Sequence, residues 1–416
     1  MTSMHWKVLL NEAIDRARRG QPAEAIDLFD QVLRLQPDYD KAYYNRGCAQ
    51  DELGQADAAI ADFSAALTVN PQYFNAYINR GNLYRQQGRF DHAIADFDCA
   101  LQLQPTSAKA AAKAYGSRGL VYLEQNRYGA AIADFSQAIQ HHPRFAKLYL
   151  WRGYTQLQME HPDKAIQDFN EALACDGTLA DAYHSRGLAY VELGNLYQAI
   201  ADMNQALALN PMLVEAYGNR GMLRHKLGDS QGALSDYQQV MTLVPLWQGD
   251  ESEGAPTLTG ITQSYEKTLA LPLRMAELYN NRATLRAELG DADGAISDYT
   301  MALELDPAKA RTYNNRGLVC CQRGRYEAAI ADFNQALALD PTYAAVYSNR
   351  GNARYQLGDV VSAIADFSRA LELDMNLAEA YLSRAKARAA TQDAEGAVND
   401  YQQAIQLRKQ HCIVLH

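Results

Sequence analysis

The stretch Ala42-Tyr-Tyr-Asn-Arg-Gly47, followed by Ala59-Ile-Ala-Asp-Phe63, returns in closely related form along the 416-residue chain. Most copies are 34 residues apart, and a glycine follows the arginine in most of them. A unit of this length holds a helix, a turn and a second helix, and it cannot bury its own apolar face. The period therefore predicts an array in which every repeat packs on its neighbours.

Eleven repeats align when the recurring glycine is placed at position 8 of each repeat. Position 4 is tyrosine in all repeats but the first, position 20 is always alanine, position 24 is large and position 32 is usually proline. Positions 20, 24 and 27 share one face of the second helix because they are 4 and 3 residues apart. The small residues at positions 8, 20 and 27 let helices approach closely, and the large residue at position 24 fills the space between them. A glycine near position 15 ends the first helix, and the proline ends the second. The repeats begin at Trp6, Asp40, Phe74, Ala112, Ala146, Ala180, Val214, Ala276, Ala310, Ala344 and Ala378.

These positions resemble those of the tetratricopeptide repeat family, over about residues 6–408. The resemblance implies an all-α fold, a right-handed α-α superhelix (a solenoid) of about eleven helix-turn-helix repeats. It also implies a concave wall of first helices, whose positions 2, 5, 6, 9, 12 and 13 line a ligand groove. In the second repeat the residues that carry the resemblance are Tyr43, Gly47, Gly54, Ala59, Phe63, Ala66 and Pro71.

Two longer intervals interrupt the period, one of 38 residues before repeat four and one of 62 before repeat eight. We therefore expect repeats one to seven over residues 6–245, an insertion over 246–275, repeats eight to eleven over 276–408 and a tail over 409–416. The insertion begins acidic and rich in helix breakers and then becomes amphipathic, so a degenerate half-repeat and a surface insertion both stay open. The extra residues before repeat four are strong helix formers, so its first helix is expected to begin about one turn early.

Arginine at position 7 accompanies aspartate at position 23 in ten repeats, whereas the first repeat has Glu12 and Leu28 there. A charge-assisted bond between the two helices of one repeat explains this pairing. A bond to the preceding repeat is disfavoured, because Arg46 would then face Leu28. We interpret the pairs as structural rather than as ten catalytic or ligand sites.

Asparagine recurs at position 6, where its amide can hold the backbone of an extended peptide through both donors and acceptors. This row resembles the asparagine ladder of the protein O-GlcNAc transferases. Its members are Asn45, Asn79, Asn219, Asn281, Asn315 and Asn349, joined by Asn352 at position 9.

Repeats four to seven carry apolar residues at the groove positions instead. They predict an apolar groove for a partner helix or an apolar peptide, with packing against neighbouring helices as the alternative. These residues are Leu120, Leu123, Leu150, Trp151, Tyr154, Leu157, Leu188, Val191 and Met222.

Composition and motifs exclude several other classes of function. A net charge of -10 disfavours general nucleic-acid binding, because phosphate contacts need clustered lysine and arginine. The chain has no apolar run long enough to span a membrane, and its six cysteines have no metal-binding spacing. It contains no phosphate-binding glycine loop and no nucleophile elbow. We therefore expect no catalytic residues, no cofactor, no metal and a cytoplasmic location.

The sequence as a whole predicts a scaffold for protein–protein interaction, not an enzyme, that binds a peptide or helix of a partner protein in the groove. Two other functions stay open: an assembly factor or chaperone for a multi-subunit complex, of membrane or photosynthetic type, and a self-associating structural array. Self-association is expected through the C-terminal end, because no polar capping helix follows the last repeat.

Overall fold

The computed structural model describes residues 2–105, 107–247 and 271–413, which form 22 helices and contain no strand. The chain divides into two compact bodies, an N-terminal half (1–211) and a C-terminal half (212–416). In the N-terminal half the helices are α1 (Thr2–Arg18), α2 (Pro22–Leu35), α3 (Asp40–Glu52), α4 (Ala56–Val69), α5 (Phe74–Gln86), α6 (Phe90–Gln102), α7 (Ala108–Glu124), α8 (Tyr128–His141), α9 (Ala146–Gln158), α10 (Pro162–Cys175), α11 (Ala180–Glu192) and α12 (Leu196–Leu209). In the C-terminal half they are α13 (Val214–Lys226), α14 (Ser230–Trp247), α15 (Leu271–Glu288), α16 (Ala292–Leu305), α17 (Ala310–Gln322), α18 (Tyr326–Leu339), α19 (Ala344–Gln356), α20 (Val360–Leu373), α21 (Ala378–Ala390) and α22 (Ala394–Ile413).

Odd-numbered helices are the first helices of the repeats and even-numbered helices are the second. The junction between repeats ten and eleven shows how neighbours pack. Phe367 of α20 (position 24) is buried with Ala363 against Ala387 of α21, which is position 10 of the next repeat. Further along α20, Leu371 (position 28) packs against Ala380, which is position 3 of that repeat. Each half is therefore an all-α helical solenoid, as predicted, while the right-handed sense of the coil stays a prediction.

The glycine at position 8 lies against the ring at position 24 of the same repeat. A Cβ added to Gly119 would be 2.8 Å from Cε1 of Phe135, which is closer than real Cβ contacts. Glycine costs about 1 kcal/mol of helix stability relative to alanine. Its recurrence at this contact indicates that the close packing of the two helices offsets that cost. Where the position-24 residue is Tyr299, position 8 is Ala283, and that methyl group is fully buried.

The predicted early start of repeat four is confirmed, because α7 begins at Ala108 and not at Ala112. The hydroxyl of Ser107 accepts a hydrogen bond from the amide of Ala110 and so satisfies one of the free donors at the start of the helix.

Helix bounds differ from the expected repeat limits around the long interval. Helix α14 continues to Trp247, beyond the expected stop at Pro245. Proline usually ends a helix because it lacks an amide donor and its ring clashes with the carbonyl four residues earlier. Here the helix runs two residues beyond Pro245. Helix α15 begins at Leu271 instead of Ala276, with Pro272 in its first turn, where no amide donor is needed. The expected tail is also partly helical, because α22 extends to Ile413.

The stack passes directly from repeat seven to repeat eight. Tyr237 of α14 (position 24) and Leu285 of α15 (position 10) belong to one buried cluster, the same contact as at other junctions. No repeat layer separates these two helices among the described residues. Residues 248–270, which carry the expected acidic loop and most of the half-repeat helix, lie outside the described residues.

All ten arginine–aspartate pairs form within their repeats, as predicted. In each pair Nε and Nη2 of the arginine donate to the two carboxylate oxygens, over distances of 2.5–3.0 Å. The aspartates are almost fully buried, so both oxygens need these donors. The pairs are Arg46–Asp62, Arg80–Asp96, Arg118–Asp134, Arg152–Asp168, Arg186–Asp202, Arg220–Asp236, Arg282–Asp298, Arg316–Asp332, Arg350–Asp366 and Arg384–Asp400.

The arginines also bond the preceding repeat, through a position other than the position-23 aspartate that the prediction concerned. The third nitrogen, Nη1, donates to position 25 of that repeat, for example from Arg46 to Asp30 over 2.5 Å and from Arg80 to Ser64 over 2.8 Å. Leu28 is at position 23, and side chains two residues apart in a helix point in nearly opposite directions. The position-25 residue, Asp30, therefore lies away from Leu28. The other acceptors of this kind are Asp98, Ser136, Asn170, Thr300, Asn334 and Ser368.

Each of the ten arginines also lies over the ring of the position-4 tyrosine of its own helix. The guanidinium carbon is 5.3–5.9 Å from the ring centroid. A guanidinium group at this distance is attracted to the electron-rich face of the ring. The tyrosine at position 4 therefore orients the arginine that links the helices.

Gly119→Ala is expected to destabilise the protein by about 1–3 kcal/mol, because the new methyl group overlaps the buried ring of Phe135. Gly129→Ala is the matched control, since a Cβ there meets nothing within 4 Å. That change should instead stabilise α8 by about 0.5–1 kcal/mol through helix propensity. Chemical denaturation of both variants measures the difference, and equal effects would contradict the close-approach explanation.

Arg118→Met is expected to cost about 3–5 kcal/mol of local stability, because it leaves the buried Asp134 carboxylate without its partner. Adding Asp134→Leu should recover much of this loss, since repeat one already has Leu28 at that position. Hydrogen exchange of α7 and α8 reports the local opening, with Arg144→Met as an exposed control. A double variant as unstable as the single one would show that the cost does not come from the unpaired carboxylate.

Candidate functional site

The predicted apolar groove is largely filled by packing. Leu120, Leu123, Leu150, Trp151 and Leu157 are 3–9% exposed, so they belong to the interior and do not face a partner. The expectation of an open apolar groove was wrong for these five residues. Of the remaining members, Tyr154, Leu188 and Val191 are half-buried, and Met222 is 49% exposed.

The position-6 tryptophan explains why this stretch closes. The ring of Trp151 lies 6.0 Å from that of Phe135 and 6.3 Å from that of Phe145, both of which precede it along the chain. When a ring of this size packs on its neighbours, a large apolar area is removed from contact with water. Burial of the ring is therefore favoured over an open groove. Sequence position alone did not distinguish this packing from a groove.

The position-6 asparagines are half-buried and tie adjacent repeats together. Asn79 donates to the hydroxyl of Tyr44 over 3.1 Å and to Sγ of Cys48 over 3.6 Å, across the junction of repeats two and three. Asn281 and Asn315 likewise bond the hydroxyls of Tyr237 and Tyr299, the position-24 residues of the repeats before them. Tyrosine at position 24 followed by asparagine at position 6 is the sequence signal for this contact. Asn45 and Asn219 are also half-buried, and Asn352 is exposed.

Six asparagines gather on the first helices of repeats eight to ten, and we call them the asparagine cluster: Asn280, Asn281, Asn314, Asn315, Asn349 and Asn352. The amide of Asn349 donates to Oδ1 of Asn314 over 2.9 Å, and that of Asn314 donates to Asn315 over 3.4 Å.

The same pattern recurs one repeat earlier. There the amide of Asn280 donates to Asn281 over 3.4 Å, and its Oδ1 accepts from the hydroxyl of Thr312 over 3.1 Å. Each of the predicted Asn281, Asn315 and Asn349 therefore bonds an asparagine at position 5, either Asn280 or Asn314.

A second polar group lies on the first helices of the N-terminal half. Tyr44, Cys48 and Asn79 are linked by hydrogen bonds, and Lys113 of α7 interacts electrostatically with Cys48. Burial raises the pKa of the Tyr44 hydroxyl and of the Cys48 thiol, and it lowers the pKa of Lys113. Cys48 is therefore held as a neutral thiol and is a poor nucleophile. Sequence analysis did not single out Tyr44 or Cys48, although they occupy groove positions 5 and 9.

An ion pair between Arg85 and Glu124 links the first helices of repeats three and four. Their side chains are 10% and 11% exposed, and Nη1 of Arg85 bonds Oε1 of Glu124. Burial raises the pKa of Glu124, and the charge of Arg85 acts in the opposite direction. Nε of Arg85 is buried and has no hydrogen-bond partner among the residues that the structure describes. This pair connects the two repeats through positions 12 and 13 of their first helices.

The described residues hold no group of three or more histidine, cysteine, aspartate or glutamate side chains placed to bind a metal. None of the described helices combines the length and apolar character needed to cross a membrane.

Comparison with known proteins identifies the repeats. Models described as tetratricopeptide repeat match residues 28–61, 74–107, 117–180, 214–245, 276–309 and 378–411. A model described as TPR repeat matches residues 52–88, 187–228, 317–358 and 351–392. Together these matches cover well over half of the chain.

Several solved structures resemble the chain at low sequence identity. PilF of Pseudomonas aeruginosa is 18% identical, with 57% of this chain and 93% of that chain covered and a TM-score of 0.45. A tetratricopeptide repeat protein of Parabacteroides merdae is also 18% identical, with 76% and 98% covered and a TM-score of 0.39. MamA of Desulfovibrio magneticus is 21% identical, with 42% and 96% covered and a TM-score of 0.39. A search of curated proteins gave no significant match.

Cys48 is expected to react much more slowly with iodoacetamide than the exposed Cys175, because burial raises its pKa and leaves little thiolate near neutral pH. Its rate should keep rising above the pH at which an ordinary thiol is fully ionised. Mass spectrometry of peptides over a time course measures both rates, and in denaturant they should converge. Alkylation of Cys48 as fast as Cys175 in the folded protein would contradict the burial of this group.

Proposed function

We propose that this chain, which belongs to the tetratricopeptide repeat family, holds an extended peptide of a partner protein along the asparagine cluster of its C-terminal half. Arrays of this family are protein–protein interaction scaffolds, and that general role applies to the whole chain. The peptide and its site are the specific part of the proposal.

The hydrogen bonds within the asparagine cluster carry this proposal. The amide of Asn349 bonds Asn314, which bonds Asn315, so each side chain has a defined orientation before any partner arrives. A primary amide has two N–H donors and a carbonyl oxygen with two acceptor sites, and these bonds use only part of that capacity. Side chains ordered in advance lose less conformational entropy on binding.

The chemistry of the cluster favours a peptide backbone as its ligand. A backbone offers alternating N–H donors and C=O acceptors, and a row of neutral amides matches both kinds of group. Exposed side chains beside the row can contact the partner's side chains. Asn352 and Leu318 occupy position 9 of neighbouring repeats, and Leu318 is 39% exposed. Arg311, exposed at position 2, adds a positive charge beside them.

The buried residues of repeats four and five form no part of the proposed site. A triple change of Trp151, Tyr154 and Leu157 would disturb the interior of the N-terminal half, because Trp151 and Leu157 are buried. Variants of the asparagine cluster separate binding from folding more cleanly.

Asn349→Ala with Asn352→Ala is expected to weaken peptide binding about tenfold or more, because it removes two amides that would bond the backbone. Peptides selected from a random display library on the whole chain serve as the probe, and fluorescence anisotropy measures their affinity. Gln335→Ala, an exposed change on the second helix α18, is the control and should bind as the wild type does.

Thermal melting followed by circular dichroism checks that the double variant keeps its fold. Equal affinity of the double variant and the wild type, for peptides that compete with one another, would exclude the asparagine cluster as the binding site.

A further inference from the structure

Helix α22 carries an exposed apolar stripe. Val398, Tyr401 and Ile405 are 53%, 37% and 52% exposed, and their spacing of three and four residues places them on one face of the helix. They occupy positions 21, 24 and 28 of repeat eleven. At positions 24 and 28 of the preceding second helix, Phe367 is 0% exposed and Leu371 is 7% exposed.

The internal junctions show which contact this face makes elsewhere. Positions 24 and 28 of a second helix are covered by positions 10 and 3 of a first helix, as where Phe367 meets Ala387 and Leu371 meets Ala380. No described residue of the chain covers the stripe of α22 in this way.

Helix α1 of a second copy is a poor match for that role. Its position 10 is Asp15 and its position 7 is Glu12, both exposed, where internal repeats have mostly apolar or small residues and arginine. A head-to-tail contact would place the carboxylate of Asp15 against Ala397 and Tyr401. Removing an unpaired carboxylate from water is unfavourable enough to cancel the burial of a short apolar stripe.

A second copy of α22 is the better match. If two copies of α22 pair antiparallel about Tyr401, Val398 of one copy lies near Ile405 of the other. The same arrangement brings Glu395, in the first turn of one helix, near Arg408 and Lys409 of the partner helix. Arg408 already bonds Glu379 of its own copy over 2.6 Å, so the exposed Lys409 supplies the matching charge. Both apolar and charged groups are thus self-complementary, which is the requirement for a two-fold contact.

We propose that the chain forms a two-fold homodimer through the exposed stripe of α22. The contact closes on itself, so it limits the assembly to two copies, whereas a head-to-tail contact would generate an open array. The asparagine cluster lies on the first helices α15, α17 and α19, so the dimer neither uses nor depends on the proposed peptide site. A scaffold joined in this way presents two peptide sites, which increases its avidity for a repeated partner.

Sedimentation equilibrium of the whole chain over a wide range of concentrations tests the dimer. The wild type should follow a monomer–dimer equilibrium. Ile405→Glu should weaken dimerisation about a hundredfold or more, because it places a carboxylate in the apolar contact of both copies. Val361→Glu is the matched control: Val361 is 76% exposed on α20, away from the stripe, and its change should leave the dimer intact.

Two further variants identify the surfaces that meet. Glu395→Lys should weaken the dimer, and adding Lys409→Glu should restore it, because the opposed charges are then exchanged. Val8→Glu, on the exposed side of α1 (59% exposed), should have no effect. Circular dichroism confirms that each variant is folded. A wild type that stays monomeric, grows beyond two copies, or loses its association with Val8→Glu would overturn the proposal.

Discussion

The guanidinium group at position 7 is the interaction on which the stack depends. In a single side chain it joins three elements: two nitrogens hold the buried aspartate of its own repeat, the third reaches position 25 of the repeat before it, and its plane lies over the tyrosine one turn earlier. Arginine suits this role because its planar group presents donors in fixed directions and never loses its charge. Lysine could supply the charge but not the three directions. The repeats are therefore linked by directional polar bonds as well as by apolar contact.

This linkage determines what is left for function. Positions 3, 8, 10, 20, 24 and 27 are used for packing, and positions 4, 7, 23 and 25 for the arginine contacts. Position 6 lies at the boundary, because its asparagines are half-buried and several of them bond a neighbouring repeat. Where a large ring such as Trp151 takes this position, it packs on its neighbours and fills the groove there. The proposed peptide site therefore falls in repeats eight to ten, where small amides occupy positions 5, 6 and 9.

The repeat pattern was sufficient to predict the helix pairs, the glycine contact and the bond between Arg46 and Asp62, because all of these are local to one period. The contact between Arg46 and Asp30 was missed, although position 25 carries a polar residue throughout. Its acceptor varies among aspartate, asparagine, serine and threonine, so no single residue type marked it. The two residues of α14 beyond Pro245 were also missed. Proline was expected to end every second helix, but a proline close to the end of a helix does not always do so.

The sequence by itself determined the all-α class, the pairing of helices in repeats and the identity of their packing positions, since a strict period requires each residue to meet the same environment in every repeat. Only the tertiary structure decided which groove residues are exposed. Leu150 and Met222 both occupy groove positions, yet one is 3% exposed and the other 49%. The difference arises because exposure depends on the sizes of side chains on adjacent helices, which lie a whole period apart in sequence. The exposed face of α22 has the same origin: Ile405 is as apolar as the buried Leu371, but among the described residues no neighbouring helix covers it.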